Sequence, residues 1–340
     1  MNYIYFNNWW PGFYNNNDKN NIEFIKNLLL HTKINNFKIT NNLDEANILI
    51  EVGKPKDNIL KYKKWKYTFI YNAEPVFPIY ENHDVVINAA TKEIYKKYNK
   101  YIDNNIDTSS KGFIILDDEK IFMDKHKYRE EKHLYLPIIV WYIINNNYLP
   151  KLESRTIINN ISPNFCCFIV SNPKSPIRNK MFHMLNKYKK VNSAGSYCNN
   201  IGFKSPGNWG SEEHLKFISS HKFMICFENS LFDLSEKLVN AYLANVIPIF
   251  WSSDIVKNIF NPESMIFLED TTDESYKKVI NKIIDLDNDN QKYLEFINRP
   301  LLNEHNKKYW NNNLTLKALG KKINIILNKK NIVDELHIEA

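Results

Sequence analysis

The stretch CFENSLFDLSEKLVNAYLANVIPIFW, Cys226 to Trp251, decides the fold. Two apolar runs that belong in a core flank a polar segment that does not. The first run, with the residues before it (222–227), reads as a strand, and Val246–Trp251 reads as another. The stretch between them, from Ser235 to Ala244, carries a helical pattern, so the whole is a strand–helix–strand unit of a parallel sheet. Glu228, Asn229 and Ser230 then stand at the carboxyl end of a strand, where open parallel sheets bind ligands. Ser235-Glu236-Lys237 opens the following helix, whose N–H groups and dipole favour an anion. Taken alone, the plainer reading is the better one: Ser235 is a helix N-cap and Glu236 complements the dipole.

The same rhythm extends in both directions. Downstream, Met265–Leu268 is a strand, Ser275–Leu286 a helix, and Leu314–Lys329 an amphipathic helix. Upstream, Phe165–Val170 is a strand followed by a Ser-Pro turn, a helix over Ile177–Lys190 and a short helix over Glu212–Ser220. The first half alternates likewise: strands at Tyr3–Phe6, Phe37–Thr40, Asn47–Val52, Tyr67–Tyr71 and Asp84–Asn88, with a helical stripe over Asn21–Thr32. Leu136–Asn146 is a buried helix or strand. Residues 100–133 form a polar excursion that could hold a small hairpin around GFIILDD and KIFMD. The polar stretch 151–164 is the expected domain boundary. Two α/β domains of βαβ type with C-terminal helices follow, and the cleft between two such domains is where an active site is expected.

Three constellations could carry chemistry. The segment 226–237 offers Asn229, Glu236 and Lys237, the last a point charge suited to phosphate. IVSNPKSPIRNK (169–180) puts Arg178 in the first turn of a helix after a strand end, where a planar guanidinium could fork onto a diphosphate; a surface ion pair worth about 0–1 kcal/mol is the alternative. In YTFIYNAEPVFP (67–78), Glu74 closes a buried strand and could act as a general base; an ordinary loop carboxylate is the alternative.

Composition narrows the class. The 340 residues are 44% hydrophobic and 14% aromatic, as a globular chain of two domains requires. The net charge of +7 comes from lysine; arginine occurs only at 129, 155, 178 and 299. Aromatic and basic residues are not interleaved as a nucleic-acid groove needs. No run approaches the roughly 20 apolar residues of a membrane helix, and the N-terminus has no leader pattern. Eight glycines occur with neither GxGxxG nor a P-loop. None of the four cysteines is in a CxxC spacing, and three sit in or beside apolar runs, so buried free thiols and a reducing, cytoplasmic compartment are expected. The nine histidines lack metal-ligand spacing, and Asp285-Leu286-Asp287-Asn288-Asp289 reads as a solvated helix end.

The ordered motifs FIVSNP with Arg178, YKKVNSAG, NNIG, HKFMICFENS, SEKLVNAYLANVIPIFW and FNPESMIF resemble the α-1,3-fucosyltransferases of glycosyltransferase family 10, of the soluble bacterial or viral kind. NNWW near the start is similar to a further family stretch. The resemblance implies a GT-B fold of two Rossmann-like domains facing a cleft. Residues 1–150 would bind the acceptor, 151–305 the GDP-sugar, and 306–340 would be a helical tail. It implies inverting transfer of L-fucose from GDP-fucose to an acceptor glycan, one containing N-acetylglucosamine for example. Arg178 and Lys237 would bind the diphosphate, Asn229 and Glu236 other donor groups, and Glu74 would be the catalytic base. No cofactor or resident metal is implied, although Mn or Mg could stimulate. The family pattern Gly-Tyr-Val-Thr-Glu-Lys is here Phe232-Asp233-Leu234-Ser235-Glu236-Lys237, and Ser252 replaces a glycine after the tryptophan. These departures keep two alternatives open: a relative using another GDP-sugar, and a glycan-binding relative without turnover.

Overall fold

The structure is a computed structural model that describes residues 1–15, 21–53, 58–72, 82–93, 128–231 and 233–338, with side chains described as far as Lys330. Glu74, Phe232 and the hairpin expected around GFIILDD lie outside the described residues. The chain divides into two compact units, one from residues up to 147 together with those from 310 onward, the other from 148–309.

The first unit holds a six-stranded sheet: β1 (Asn2–Asn7), β2 (Phe37–Ile39), β3 (Ile48–Val52), β4 (Tyr67–Asn72), β5 (Val85–Asn88) and β6 (His133–Tyr135), in the order β2-β1-β3-β4-β5-β6. Every pairing is parallel. β3, β4 and β5 are buried throughout, which is why they read as unbroken apolar runs rather than alternating ones. Helix α1 (Glu23–Leu30) buries Phe24, Ile25, Leu28 and Leu29, the stripe its spacing predicts. The ambiguous run before residue 147 is a helix, α2 (Ile138–Asn145), with Ile139 to Ile143 all buried. An apolar circumference marks an enclosed helix, and periodicity could not separate it from a strand.

The Trp pair near the N-terminus, half-buried, packs against this core. Trp9 stacks on Phe13 at 4.0 Å, and Phe24 stacks on Trp141 at 4.6 Å. Trp9 Nε1 donates to the Ile50 carbonyl, and Asn8, at a positive φ of 61°, donates from Nδ2 to the Val52 carbonyl.

The second unit has a five-stranded parallel sheet: β7 (Asn164–Phe168), β8 (Val191–Ser193), β9 (His221–Ile225), β10 (Ile247–Phe250) and β11 (Ile266–Phe267), ordered β11-β10-β9-β7-β8. Its helices are α3 (Leu149–Glu153), α4 (Pro176–Tyr188), α5 (Glu212–Ser219), α6 (Lys237–Leu243), α7 (Val256–Ile259), α8 (Asp273–Asn288) and α9 (Asn290–Ile297). One face of the sheet, with Phe223, Ile225, Ile247 and Ile249, packs on Met181, Phe182 and Leu185 of α4 and on Tyr276, Val279 and Ile283 of α8. β8 is absent from the sequence-based expectation because three residues give no readable period.

The helical tail is α10 (Glu304–Asn313) and α11 (Leu316–Ile338). α11 lies against the first unit. The Lys33 amide donates to Asn324 Oδ1, and Lys330 Nζ pairs with Asp84 at 2.7 Å. A Cβ on Gly320 would stand 2.6 Å from the His31 carbonyl oxygen, so the approach of α11 to the end of α1 depends on a residue without a side chain.

The acidic run near residue 287 departs from its expected solvated state. Asp287 is buried and accepts from Lys222, Lys189 and Tyr188. Asp289 caps α9 by accepting from the amides of Gln291 and Lys292. Cys166, Cys167 and Cys226 are buried free thiols, each pushed up by burial.

Candidate active site in the second unit

The site is built where β7 and β9 end. β9 stops at Ile225, so Glu228 lies past the strand but is still tied to the sheet: the Cys226 amide donates to the Ile249 carbonyl and the Glu228 amide to that of Trp251. The extension carries an apolar backbone direction into a polar side chain, and Glu228 ends fully buried.

That carboxylate is the centre of one cluster. The Ser235 amide donates to Glu228 Oε1 at 2.7 Å, and the Ser235 hydroxyl lies 2.9 Å from both carboxylate oxygens. Lys237 Nζ donates to Glu228 Oε2 at 2.8 Å and to Ser235 Oγ at 2.7 Å. This corrects the capping alternative. α6 begins at Lys237, its N-cap is Glu236 without a side-chain cap bond, and the Ser235 hydroxyl faces Glu228. Burial alone would lower the Lys237 ammonium, but Glu228, then Glu236 and Asp233, outweigh it and hold the group above its ordinary value.

Arg178 is the centre of a second cluster. It sits in the first turn of α4, as its position after the Ser-Pro turn predicts, and is 1% exposed. A surface ion pair is therefore excluded. Nη1 donates to Asn229 Oδ1 at 2.8 Å and approaches the Phe227 carbonyl at 3.5 Å, while Nη2 donates to the Asn172 carbonyl at 2.8 Å. The guanidinium thus ties the β7 exit to the β9 exit. Burial pulls it below its ordinary range, and the charges of Glu228 and Asp233 act in the opposite direction. Among the described residues Arg178 Nε and Ser230 Oγ are buried without a partner. Each orphaned group costs about 1–3 kcal/mol, the kind of debt found where a ligand completes the set.

Surrounding motifs hold this frame rather than enter it. A Cβ on Gly195 would fall 1.9 Å from the Val170 carbonyl oxygen, so the SAG turn can lie against the β7 exit only with glycine there. Asn199 and Asn200 fix the same turn: Asn200 Oδ1 accepts from the Ser193 amide, and Asn199 Nδ2 donates to the Gly195 carbonyl. Asn261, of the FNPES motif, accepts from the Glu263 amide and donates to the Pro300 carbonyl.

Four of the five residues expected from sequence are therefore in one neighbourhood. Arg178 touches Asn229; Lys237 is linked to Glu228; Glu236 adds charge beside Lys237. Glu74 lies outside the described residues. Glu228, at the strand end, and Asp233 and Ser252, as departures from the family pattern, stand out in the sequence without an assigned role; the structure gives Glu228 to Lys237 and Ser235, and Ser252 to the Asp233 carbonyl. The available signal was a carboxylate placed directly after a buried strand, nine positions before a lysine. Among the described residues no three His, Cys, Asp or Glu side chains gather as metal ligands, and no helix is long and apolar enough to cross a membrane.

Comparison with known proteins meets this geometry from outside. Residues 162–334 match the family model described as glycosyltransferase family 10 (fucosyltransferase), C-terminal part. The α-(1,3)-fucosyltransferase FucT of Helicobacter pylori is 32% identical over 158 residues, which is 46% of this chain and 31% of that protein. A candidate fucosyltransferase of Acanthamoeba polyphaga mimivirus is 24% identical over 286 residues, 78% of this chain and 44% of that one. The chain thus spans less than half the length of these curated relatives. A crystal structure of an α1,3-fucosyltransferase superposes with a TM-score of 0.60 at 23% identity, covering 96% of this chain and 90% of that one. One with GDP-fucose gives 0.57 at 22% identity over the same shares. At these identities the likeness is one of fold, and it supports the GT-B expectation of two parallel-sheet α/β units.

Proposed function

The chain belongs to glycosyltransferase family 10, the fucosyltransferases, and we propose that it transfers L-fucose with inversion from GDP-fucose to a hydroxyl of an acceptor glycan, forming an α-1,3 linkage. The observation that carries the reading is the Arg178–Asn229 bond, which gathers a buried cation and the FENS segment at adjoining strand exits. Solved relatives by fold include one with GDP and one with GDP-fucose.

In this reading Glu74 removes the acceptor proton, and the resulting oxygen attacks the anomeric carbon as the bond to the GDP β-phosphate oxygen breaks. The sugar passes through an oxocarbenium-like state while negative charge grows on the diphosphate. Arg178 and Lys237 stabilise that charge from a buried, fixed position, where such stabilisation is strongest. A divalent ion such as Mn or Mg would assist only by neutralising the diphosphate. A cytoplasmic location accompanies the reading.

The altered Asp233–Ser235 segment and Ser252 favour keeping a different GDP-sugar as the second reading. Isothermal titration with GDP, GDP-fucose and GDP-mannose separates them. Fucose-dependent tightening followed by fucosyl transfer to an N-acetylglucosamine-containing oligosaccharide supports the first. Tighter binding of GDP-mannose supports the second. Absence of binding to all three overturns the donor-site assignment.

A further inference from the structure

The donor site as built is short of positive charge. Arg178 and Lys237 face three carboxylates, Glu228, Glu236 and Asp233, so the constellation is formally negative by one. Lys237 and Glu228 satisfy each other. Asp233 acts on both cations, and toward Arg178 it is joined through one side chain. Asn229 is the link: its Oδ1 accepts from Arg178 Nη1, and its Nδ2 lies 3.5 Å from Asp233 Oδ2. Asp233 is 9% exposed, so little water screens it.

The backbone that carries this carboxylate is held in place by a neighbouring strand exit. The Ser252 hydroxyl, itself buried just past β10, lies 2.8 Å from the Asp233 carbonyl and 3.2 Å from the Leu231 carbonyl. The hydroxyl has one proton, so its bond goes mainly to the Asp233 carbonyl, with the Leu231 carbonyl within reach on the other side of the loop. A residue without a side chain hydroxyl at 252 could not make this bond.

We propose that Asp233 is a built-in counter-ion of the donor site, which an incoming diphosphate must out-compete, and that Ser252 is the positioning residue that keeps it in place. The inference rests on the reading of Arg178 and Lys237 as a diphosphate site. Its consequence is a donor site tuned for release: the nucleoside diphosphate left after transfer meets a resident negative charge that opposes its retention.

The test is calorimetric titration of the full chain with GDP. Asp233→Asn removes the charge and keeps the shape, so GDP affinity rises about tenfold at low salt, and the gain shrinks as ionic strength increases. Ser252→Ala frees the loop and gives a smaller gain, which disappears in the Asp233→Asn background because Ser252 acts through Asp233. Structural damage alone would weaken binding and would not couple in this way. Asp233→Ser serves the same purpose should the amide variant fail to fold. Unchanged or weaker GDP binding in the Asp233 variants, with the unaltered chain binding normally, overturns the counter-ion and leaves the donor site standing. An equal Ser252→Ala effect with and without Asp233 overturns the positioning role. Binding by the Asp233 variant but not by the unaltered chain supports the inference in its strongest form, and failure of both to bind overturns it together with the donor site.

Discussion

Lys237 Nζ stands 2.8 Å from Glu228 Oε2, and the carboxylate it meets is wholly shielded from water. The pair joins the β9 exit to the start of α6, so it serves architecture as well as charge. Removing one partner strands the other, which costs about 3–5 kcal/mol for a buried pair. Lys237→Ala is expected to lose that stability along with donor binding. The double variant Lys237→Ala/Glu228→Gln restores most of the stability and none of the binding. Chemical denaturation beside GDP titration checks both halves; recovery of binding in the double variant would remove Lys237 from the diphosphate site.

Arg178→Lys keeps a positive charge and loses the fork. A lysine cannot reach Asn229 Oδ1 and the Asn172 carbonyl together, as Nη1 and Nη2 do. Loss of a charge-assisted bond predicts GDP affinity weaker by about ten- to a hundredfold. Calorimetry on the lysine variant decides it, and unchanged affinity would show that charge alone suffices.

Glu74→Ala should fold, bind GDP-fucose and lose turnover by about a hundred- to ten-thousandfold, the usual range for a general base. Single-turnover kinetics with a saturating acceptor measures this. Full activity would exclude Glu74 from proton transfer.

Much of the second unit was legible in its residues. Fully buried parallel strands such as β9 and β10 are continuous apolar runs, and the turn into α4 placed Arg178 correctly. What stayed hidden is what depends on distance along the chain. Asp287 looked like one acid in a polar tail because its partners, Lys189 and Lys222, lie 98 and 65 residues away. Ser235 looked like a cap because local chemistry favours serine before a helix, whereas the buried Glu228 competes for its hydroxyl and wins. Ser252 gave no sign of its clamp on Asp233, since the two carbonyls it meets belong to a loop 19 and 21 residues earlier.

The Asp287 cluster has a pH signature. Burial pushes its carboxyl up, but bonds from Lys222 and Lys189 prevail and leave it below the ordinary 3.8. A depressed acid contributes stability above its unfolded value and loses it as pH falls through the folded one. Asp287→Asn should therefore melt below the parent at neutral pH, and the gap should close under acid conditions below that 3.8. Circular-dichroism melts from neutral to strongly acidic buffer trace it; a constant gap would contradict the assignment.

Gly195→Ala puts a methyl group into the Val170 backbone, which cannot move without shifting β7. A loss of about 4 kcal/mol or more is expected, in the class of severe steric substitutions. Urea denaturation of the variant reads the loss directly, and a near-neutral change would mean that the SAG turn can relocate.

The return of α11 to the first unit bears on how the molecule is made. Residues 148–309 are contiguous, so this unit can close before the residues that follow it are made. The first unit must wait for Asn324 and Lys330, although its strands emerged at the outset. Closing a loop of that length is slow and entropically costly. Of the two units, the one whose strands come earlier in the sequence is thus completed later, and until then its sheet is the surface open to premature association.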